Sequence, residues 1–262
     1  MDYRNPADDS RKAIVASEFA WHEQEAHRRF PLDTFLYAPP AFDPIVRSGF
    51  EFLQMNSGEM VLEVGCGEGK ETLRLAQLGL CVISTDLSRQ QLCRAREQLQ
   101  ESAPGARGYF LQANAEELPF ASDSFEAIYG KAILHHLDLD LSAGEIRRLL
   151  GRSGRATLAE PMAHHPLFWL ARQLTPRLRT KNEHPLTLRE LRNFCAYFDR
   201  SDVEEYFLLA PVAYAVRALP GGEPVFRRLQ TFLQRIDRWL FHTFPFLKEL
   251  AWYGLVKVTK CE

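Results

Sequence analysis

Short apolar runs alternate with amphipathic stretches through the middle of the chain. The apolar runs have the length of strands and lie at 60–64, 80–84, 108–112, 125–129 and 155–159. Between them, apolar positions recur at helical spacing, most clearly over 70–77 and 89–101. Such alternation indicates right-handed βαβ units and a parallel sheet that is covered on both faces. The pattern therefore predicts an α/β fold with a Rossmann-like, doubly wound sheet.

The regions on either side of this core have a different pattern. Helical patterns occur at 9–30, 44–54, 164–180, 187–198 and 224–243. Two further strands are expected at 203–209 and 251–259. A late pair of strands separated by a long excursion is typical of a mostly parallel sheet that carries an antiparallel strand. We therefore expect an antiparallel C-terminal edge strand and a helical lid.

Three sequences of the form S/T-x-x-E/Q predict helix N-termini by the capping-box pattern. They are Ser88–Gln91, Ser142–Glu145 and Thr187–Glu190. Each precedes a stretch with helical periodicity, so we expect a helix to begin at each of them.

A glycine-rich loop follows the first predicted strand, in Val61-Leu-Glu-Val-Gly-Cys-Gly-Glu-Gly69. Backbone N–H groups at such a strand–helix junction can approach a ligand closely. The segment lacks the GxxxxGK[ST] of a phosphate-binding loop, and its glycines fit the dinucleotide pattern GxGxxG poorly. Glu63 would repel a pyrophosphate and suits a cationic ligand.

An acidic residue, Asp86, ends the second strand about 20 residues after Gly65, where nucleoside-binding units hold the ribose hydroxyls. The sequence thus indicates a nucleoside with a positively charged neighbour and no phosphates. S-adenosylmethionine (SAM) is such a molecule.

Four motifs in this order resemble those of class I SAM-dependent methyltransferases, especially the group near the ubiquinone and menaquinone methyltransferases. They are Leu62–Gly69, Ser84–Ser88, Asn114–Phe120, and Ser124–Ile128 running into Leu134–His136. The resemblance covers residues 58 to 161 and implies that SAM is the cofactor and that the protein is a methyltransferase.

The resemblance also implies which residues hold the parts of the cofactor. The methionine end is expected to meet Glu63, Gly65, Cys66, Gly67, Gly69 and the backbone near Lys131. The nucleoside is expected to meet Asp86 at the ribose, Leu87 at the adenine ring, and Asn114 and Ala115 at the adenine edge. Asn114 stands where the family often has Asp, so a charge is absent there.

The limits of the motifs and of the predicted strands and helices divide the chain into four kinds of region. The predicted regions are an N-terminal helical cap (1–57), a SAM-binding core (58–161), lid or substrate-binding insertions (162–186 and 211–250), and the C-terminal part of the core sheet (187–210 and 251–262).

Candidate groups for acid–base work follow the fourth and fifth strands, where open α/β sheets bind ligands. His135, His164 and Glu160 are the preferred catalytic residues, since histidine suits base work near pH 7. The alternative is that each histidine only caps a helix or binds a backbone carbonyl. No two of these groups have the spacing of metal ligands on one helix, so we expect no metal.

The acceptor class is narrowed by charge and by missing motifs. With 32 basic and 34 acidic residues the net charge is −2, and the nucleic-acid methyltransferase signature is replaced by Gly130-Lys-Ala-Ile133. We therefore expect a small amphipathic or aromatic acceptor and no nucleic acid. Two alternatives remain open: a SAM-binding regulatory or scaffold subunit without turnover, and a peptide or protein methyltransferase.

The five cysteines form no CxxC pair, the first residues are polar, and no apolar run reaches ~18 residues. We expect free thiols and a cytoplasmic protein.

The segment 224–243 has its apolar positions at 225, 229, 232, 233, 236 and 240, which lie on one helical face beside several arginines. Two interpretations remain open: a lid helix that packs on the domain, or peripheral contact with a membrane or lipid.

Overall fold

Seven strands form one sheet in the computed structural model, which describes residues 6–25, 39–174, 184–217 and 219–261. The strands are β1 Met60–Val64, β2 Cys81–Asp86, β3 Gly108–Gln112, β4 Phe125–Lys131, β5 Leu150–Pro161, β6 Arg200–Tyr206 and β7 Tyr253–Thr259. Their order across the sheet is β3-β2-β1-β4-β5-β7-β6. The Rossmann-like α/β fold predicted from the sequence is confirmed.

Helices connect and cover these strands. They are α1 Pro6–Glu25, α2 Pro39–Leu53, α3 Lys70–Gln77, α4 Arg89–Ser102, α5 Leu139–Leu149, α6 Pro166–Leu174, α7 Leu188–Cys195, α8 Tyr214–Arg217 and α9 Glu223–Thr243, with short 3₁₀ turns at Leu134–His136, Ala210–Ala213 and Pro245–Leu250. The ends of two predicted helices, 26–30 and 175–180, lie outside the described residues. Among the helices of the described ranges, none is long and apolar enough to cross a membrane.

Two successive residues of β1 show that both faces of the sheet are covered. Leu62 belongs to a buried cluster with Ile146 of α5 and Leu191 of α7. Val61, its neighbour, belongs to a different cluster that includes Leu75 of α3. Because side chains alternate between the two faces of a strand, these clusters lie on opposite sides of the sheet.

The C-terminal strand lies one place in from the edge of the sheet. β7 pairs antiparallel with both β5 and β6, so β6 is the edge strand. The reason is visible in the side chains. β7 is almost entirely buried, whereas the first residues of β6 are polar and exposed. An apolar strand takes the doubly paired position, and a charged strand protects the edge.

The chain reverses its direction of travel across the sheet at β1. β2 and β3 lie on one side of β1, and β4 and β5 lie on the other. Open α/β sheets bind ligands outside the carboxyl ends of the strands at such a switch point. The loops after β1, β2 and β4 therefore meet where a site is expected.

Two of the three predicted helix starts are confirmed. The Ser88 hydroxyl accepts a hydrogen bond from the first turn of α4, and Thr187 makes a complete capping box at α7. The prediction at Ser142 is wrong, because α5 already begins at Leu139. Asp138 caps it by accepting hydrogen bonds from two N–H groups of the first turn.

The packed face of α9 differs from the predicted apolar face. Phe226, Asp237 and Phe241 are buried, whereas Val225 and Phe232 are exposed. Relative to the predicted orientation the helix is rotated about its axis, because its packed face includes a buried polar residue, Asp237. The carboxylate of Asp237 accepts hydrogen bonds from three successive backbone N–H groups, those of 208, 209 and 210, at 2.8–3.2 Å. Burial raises the pKa of this carboxyl group.

We expect Asp237→Ala to lower the free energy of unfolding by roughly 3–5 kcal/mol. Three backbone donors in the Leu208–Ala210 segment would lose their acceptor, and a buried unsatisfied donor costs about 1–3 kcal/mol. The melting temperature should fall by about 10 °C. Arg235→Ala, an exposed change on the same helix, is the matched control and should have little effect. A variant at Asp237 that melts like the wild type would show that this anchor does not hold α9.

Candidate active site

A cavity of about 890 Å³ opens at the carboxyl ends of β1, β2 and β4. This volume is within the range of small-molecule sites. Most of the residues predicted to bind the cofactor line it: Glu63, Gly65, Cys66, Gly67, Asp86, Leu87, Asn114, Ala115 and Lys131. Of the predicted catalytic residues, His135 lines the cavity, whereas Glu160 and His164 do not.

The glycines of the loop after β1 have different structural roles. Gly67 has a φ of +51°, and an added Cβ atom would have no neighbouring atom within 4 Å, so the backbone borders open space. Gly69 has a φ of +82° and caps α3, and a Cβ there would come within 2.7 Å of Ala95 in α4. Gly69 therefore permits close packing of two helices and does not line the cavity, which differs from the predicted contact with a ligand.

The carboxylate of Asp86 ties the glycine loop to the start of α4. Its Oδ2 accepts a hydrogen bond from the N–H of Gly67 at 2.8 Å, and its Oδ1 accepts one from the N–H of Ser88 at 2.9 Å. Each oxygen of an ionised carboxylate can accept two hydrogen bonds. The same group can thus shape the loop and bind hydroxyl groups of a ligand.

Glu63 is a buried carboxyl group at the end of β1. Its Oε2 accepts hydrogen bonds from the hydroxyls of Thr72 at 2.5 Å and Ser84 at 2.8 Å. The pKa of Glu63 is raised to about 8, chiefly by burial; the two hydrogen bonds lower it, and the neighbouring carboxylates of Glu71 and Asp86 contribute to the rise. A cation placed beside this group would favour its ionised form.

The side chains of Lys131 and Asn114 are partly engaged with other residues. Lys131 Nζ lies 2.7 Å from an oxygen of Glu71 and 5.1 Å from the centre of the Phe42 ring. The Oδ1 of Asn114 accepts a hydrogen bond from the N–H of Glu116 at 3.2 Å. The ion pair leaves the Lys131 side chain directed to Glu71, in agreement with a predicted role for the backbone at this position.

His135 and Glu160 form a buried pair at the ends of neighbouring strands. The Nδ1 of His135 lies 2.8 Å from Oε2 of Glu160. The other oxygen of Glu160 accepts hydrogen bonds from the N–H groups of Ile133 and Leu134, both at 2.9 Å. With the carboxylate as acceptor, Nδ1 carries the proton, and Nε2 is the basic nitrogen of the neutral ring. The pair thus holds the ring of His135 in one orientation at the wall of the cavity.

The structure does not bring His164 to the cavity. Its side chain is 53% exposed and lies 3.9 Å from Glu249. The next residue, His165, is buried and its Nε2 lies 3.0 Å from the carbonyl oxygen of Leu208. Adjacent residues of this loop point in different directions, so proximity in sequence to β5 did not place His164 in the site.

Helix α1, part of the predicted N-terminal helical cap, lines one side of the cavity through contacts that the sequence patterns did not indicate. Arg11 of this helix lies 2.5 Å from Glu116 and 3.1 Å from Asp138. Glu18 lies 3.1 Å from Nδ1 of His136, which also lines the cavity. These contacts join residues more than 100 positions apart, so no local signal indicates them. The mixed charge of the helix is the one feature that agrees with them.

Residues 61–154 match a family profile described as a methyltransferase domain. Methyltransferase GfsG of Streptomyces halstedii is 34% identical over 131 residues, which are 47% of this chain and 47% of that protein. O-methyltransferase cnsE of Penicillium expansum is 34% identical over 111 residues, 42% of this chain and 40% of that protein. The chain thus spans less than half the length of these curated relatives.

The fold also has counterparts among solved structures. Phosphoethanolamine N-methyltransferase 2 of Haemonchus contortus, solved in complex with S-adenosyl-L-methionine, gives a TM-score of 0.63 at 18% identity. The similarity covers 92% of this chain and 60% of that one. At this identity the similarity shows a shared fold.

Residues 61–154 therefore match a methyltransferase domain, and the resemblance of the four motifs to methyltransferases is confirmed. SAM is the cofactor of this family. The relation to the ubiquinone and menaquinone methyltransferases stays a prediction.

The residues of the cavity fit SAM. The open space over Gly67 leaves room for a ligand against the backbone, as shown by the absence of any atom within 4 Å of a Cβ built there. The cavity also presents the carboxyl groups of Glu63 and Asp86, which suit a cationic group and hydroxyl groups, respectively.

The raised pKa of Glu63 predicts a pH-dependent cost in stability. The unfolded carboxyl titrates near its ordinary value of 4.5, and the folded one near 8. Between these values the unfolded state releases a proton that the folded state keeps, so stability falls as pH rises through this window. Glu63→Gln removes this difference. The difference in melting temperature between Glu63→Gln and the wild type should therefore shift in favour of the variant as the pH is raised from 5 to 8. The shift should correspond to a change of a few kcal/mol in the relative free energy of unfolding. A constant difference across this range would contradict the assignment.

Proposed function

We propose that this protein transfers the methyl group of SAM to a hydroxyl group of a small amphipathic or aromatic molecule, with His135 as general base. The observation that carries the proposal is the buried pair of His135 and Glu160 at the wall of the cavity. A hydroxyl acceptor must lose its proton during the reaction, and a positioned imidazole is a suitable group to accept it.

The cofactor, when bound, supplies a methyl group already activated by a sulfonium. The chain then has to align the acceptor, exclude water and accept a proton. In this proposal His135 accepts the proton at Nε2, while Glu160 holds the Nδ1–H and fixes the orientation of the ring. Glu160 is a positioning residue, because it lies behind His135 and does not line the cavity.

The cofactor is held, in this proposal, by the loops that end the first three strands. Glu63 and the backbone of Gly65–Gly67 meet the methionine end, and Asp86 binds the ribose hydroxyls. The adenine lies between Leu87 and the 114–115 segment. All of these residues line one cavity, which supports a single elongated ligand across the three loops.

Two features favour this function over the alternatives. Regulatory binding of SAM would not need the His135–Glu160 pair. A peptide acceptor would need an open approach, whereas α1 contributes Arg11, Ile14, Val15 and Glu18 to the wall of the cavity. The name of one relative, an O-methyltransferase, agrees with a hydroxyl acceptor. In this assignment the N-terminal region acts as a cap over the core.

Asp86→Ala should weaken SAM binding by roughly ten- to a hundredfold. Charge-assisted hydrogen bonds contribute about 1.5–3 kcal/mol, and about 1.4 kcal/mol corresponds to a factor of ten. Isothermal titration calorimetry measures the change. Asp202→Ala, an exposed carboxylate on the edge strand, is the control and should bind SAM like the wild type. Unchanged affinity in a folded Asp86→Ala protein would remove the ribose assignment.

His135→Gln should lower turnover by about 10²–10⁴ while the affinity for SAM stays within a fewfold of the wild type. Turnover is followed by the release of S-adenosylhomocysteine with a panel of small amphipathic alcohols and phenols. His164→Gln is the matched control, because the structure places this residue outside the cavity.

Three outcomes would count against the proposal. Failure of the wild type to turn over any hydroxylated acceptor while it binds SAM would favour a regulatory role. Equal rates for His135→Gln and the wild type would show that alignment alone suffices. A loss in His164→Gln as large as that in His135→Gln would show that the effect is not specific to the residue at the cavity wall.

A further inference from the structure

One stripe of α9 combines exposed apolar side chains with cations. Positions 225, 228, 232, 235, 239 and 242 are separated by three or four residues, so they lie on one face of the helix. They are Val225, Arg228, Phe232, Arg235, Trp239 and His242, and all are exposed. We call this set the α9 stripe. It lies opposite the face that is packed through Phe226, Asp237 and Phe241.

The apolar members of the stripe are large and open to solvent. Val225, Phe232 and Trp239 are 55%, 58% and 59% exposed. The patch continues beyond the helix, because the ring of Trp239 lies 6.2 Å from that of Phe244, which lies 6.2 Å from that of Phe246. Phe246 is 71% exposed. A contiguous exposed aromatic surface of this kind marks an interaction site.

The charges on this surface are of one sign. Arg228 and Arg235 have no ion-pair partner within the part of the chain that the structure describes, and no acidic residue lies on the stripe. Arg227 of the same helix differs in this respect, because it lies off the stripe and pairs with Glu223 at 3.0 Å. The free cations are thus interleaved with the exposed aromatic side chains.

Aromatic rings between arginines suit the interface of an anionic bilayer. Phenylalanine and tryptophan side chains enter the boundary between headgroups and acyl chains, and arginines beside them bind lipid phosphates. A second copy of the chain fits less well, because it would bring four arginines together without a carboxylate on either stripe. Charge complementarity therefore favours an anionic surface.

We propose that the α9 stripe, with Phe244 and Phe246, docks this protein on anionic lipid surfaces. The site is separate from the cavity, since none of these residues lines it. The proposal therefore does not depend on the assignment of the reaction.

Co-sedimentation of the full chain with vesicles tests this proposal. Phosphatidylcholine vesicles with phosphatidylglycerol should bind the protein, and vesicles of phosphatidylcholine alone should bind it weakly. Salt at about 0.5 M should reduce binding, because it screens exposed charges. Absence of binding to the anionic vesicles at low salt would overturn the proposal.

Two double variants separate the contributions of charge and aromatic insertion. Arg228→Glu with Arg235→Glu should weaken binding by about thirtyfold or more. Trp239→Ser with Phe246→Ser should weaken it by roughly tenfold. All four side chains are exposed, so the melting temperatures should stay close to that of the wild type.

The matched control is Arg152→Glu with Arg200→Glu, which makes the same change in net charge at exposed positions outside the stripe. It should bind vesicles like the wild type. Equal losses in both charge variants would show attraction by net charge alone, and would overturn the proposal. Wild-type binding by the aromatic variant would do the same, since the surface would then bind only anions. The proposal would also be overturned if the wild type did not bind vesicles but formed a concentration-dependent dimer that the stripe variants abolish.

Discussion

The conformation of the loop after β4 depends on the burial of one carboxylate. Glu160 has no exposed surface, so its oxygens must be matched by donors inside the protein. Those donors are the N–H groups of Ile133 and Leu134 and the ring of His135. Satisfying Glu160 therefore sets the path of the loop after β4 and the tautomer of its histidine at the same time. In the proposed reaction, a ring already held in this orientation needs no rearrangement of the protein to accept a proton.

Carboxyl groups near the ends of two other strands are likewise matched by donors of the protein. Glu63 accepts from two hydroxyls, and Asp86 accepts from two backbone N–H groups. The parallel sheet places these carboxyl groups on one edge, where their mutual repulsion helps to raise the pKa of Glu63. A cationic ligand would relieve that repulsion, so the electrostatics of this edge favour positive charge.

The sequence was informative wherever a feature depends on neighbours a few residues away. The strand Met60–Val64, the helix Lys70–Gln77 and the glycine loop between them follow from periodicity and turn chemistry, and the structure has them at the predicted positions. The sequence-based predictions were wrong where two neighbouring residues could each have filled the same role, or where the role depends on a contact distant in sequence. Asp138 displaced Ser142 as a cap, and Gly69 serves helix packing because its neighbour in space is Ala95. The position of His164 just after β5 also did not predict which way its side chain points.

The cap over the cavity is specified by contacts that no local pattern contains. Glu23 of α1 accepts a hydrogen bond from the hydroxyl of Ser88, Arg11 pairs with Glu116, and Glu18 contacts His136. Each of these partners follows a predicted site residue by one or two positions, namely Asp86, Asn114 and His135. Polar contacts of this kind have strict geometry and so fix the register of a helix more than they add stability. The loops that form the site therefore also determine where α1 lies, so a change in one of them alters both the cavity and its cover.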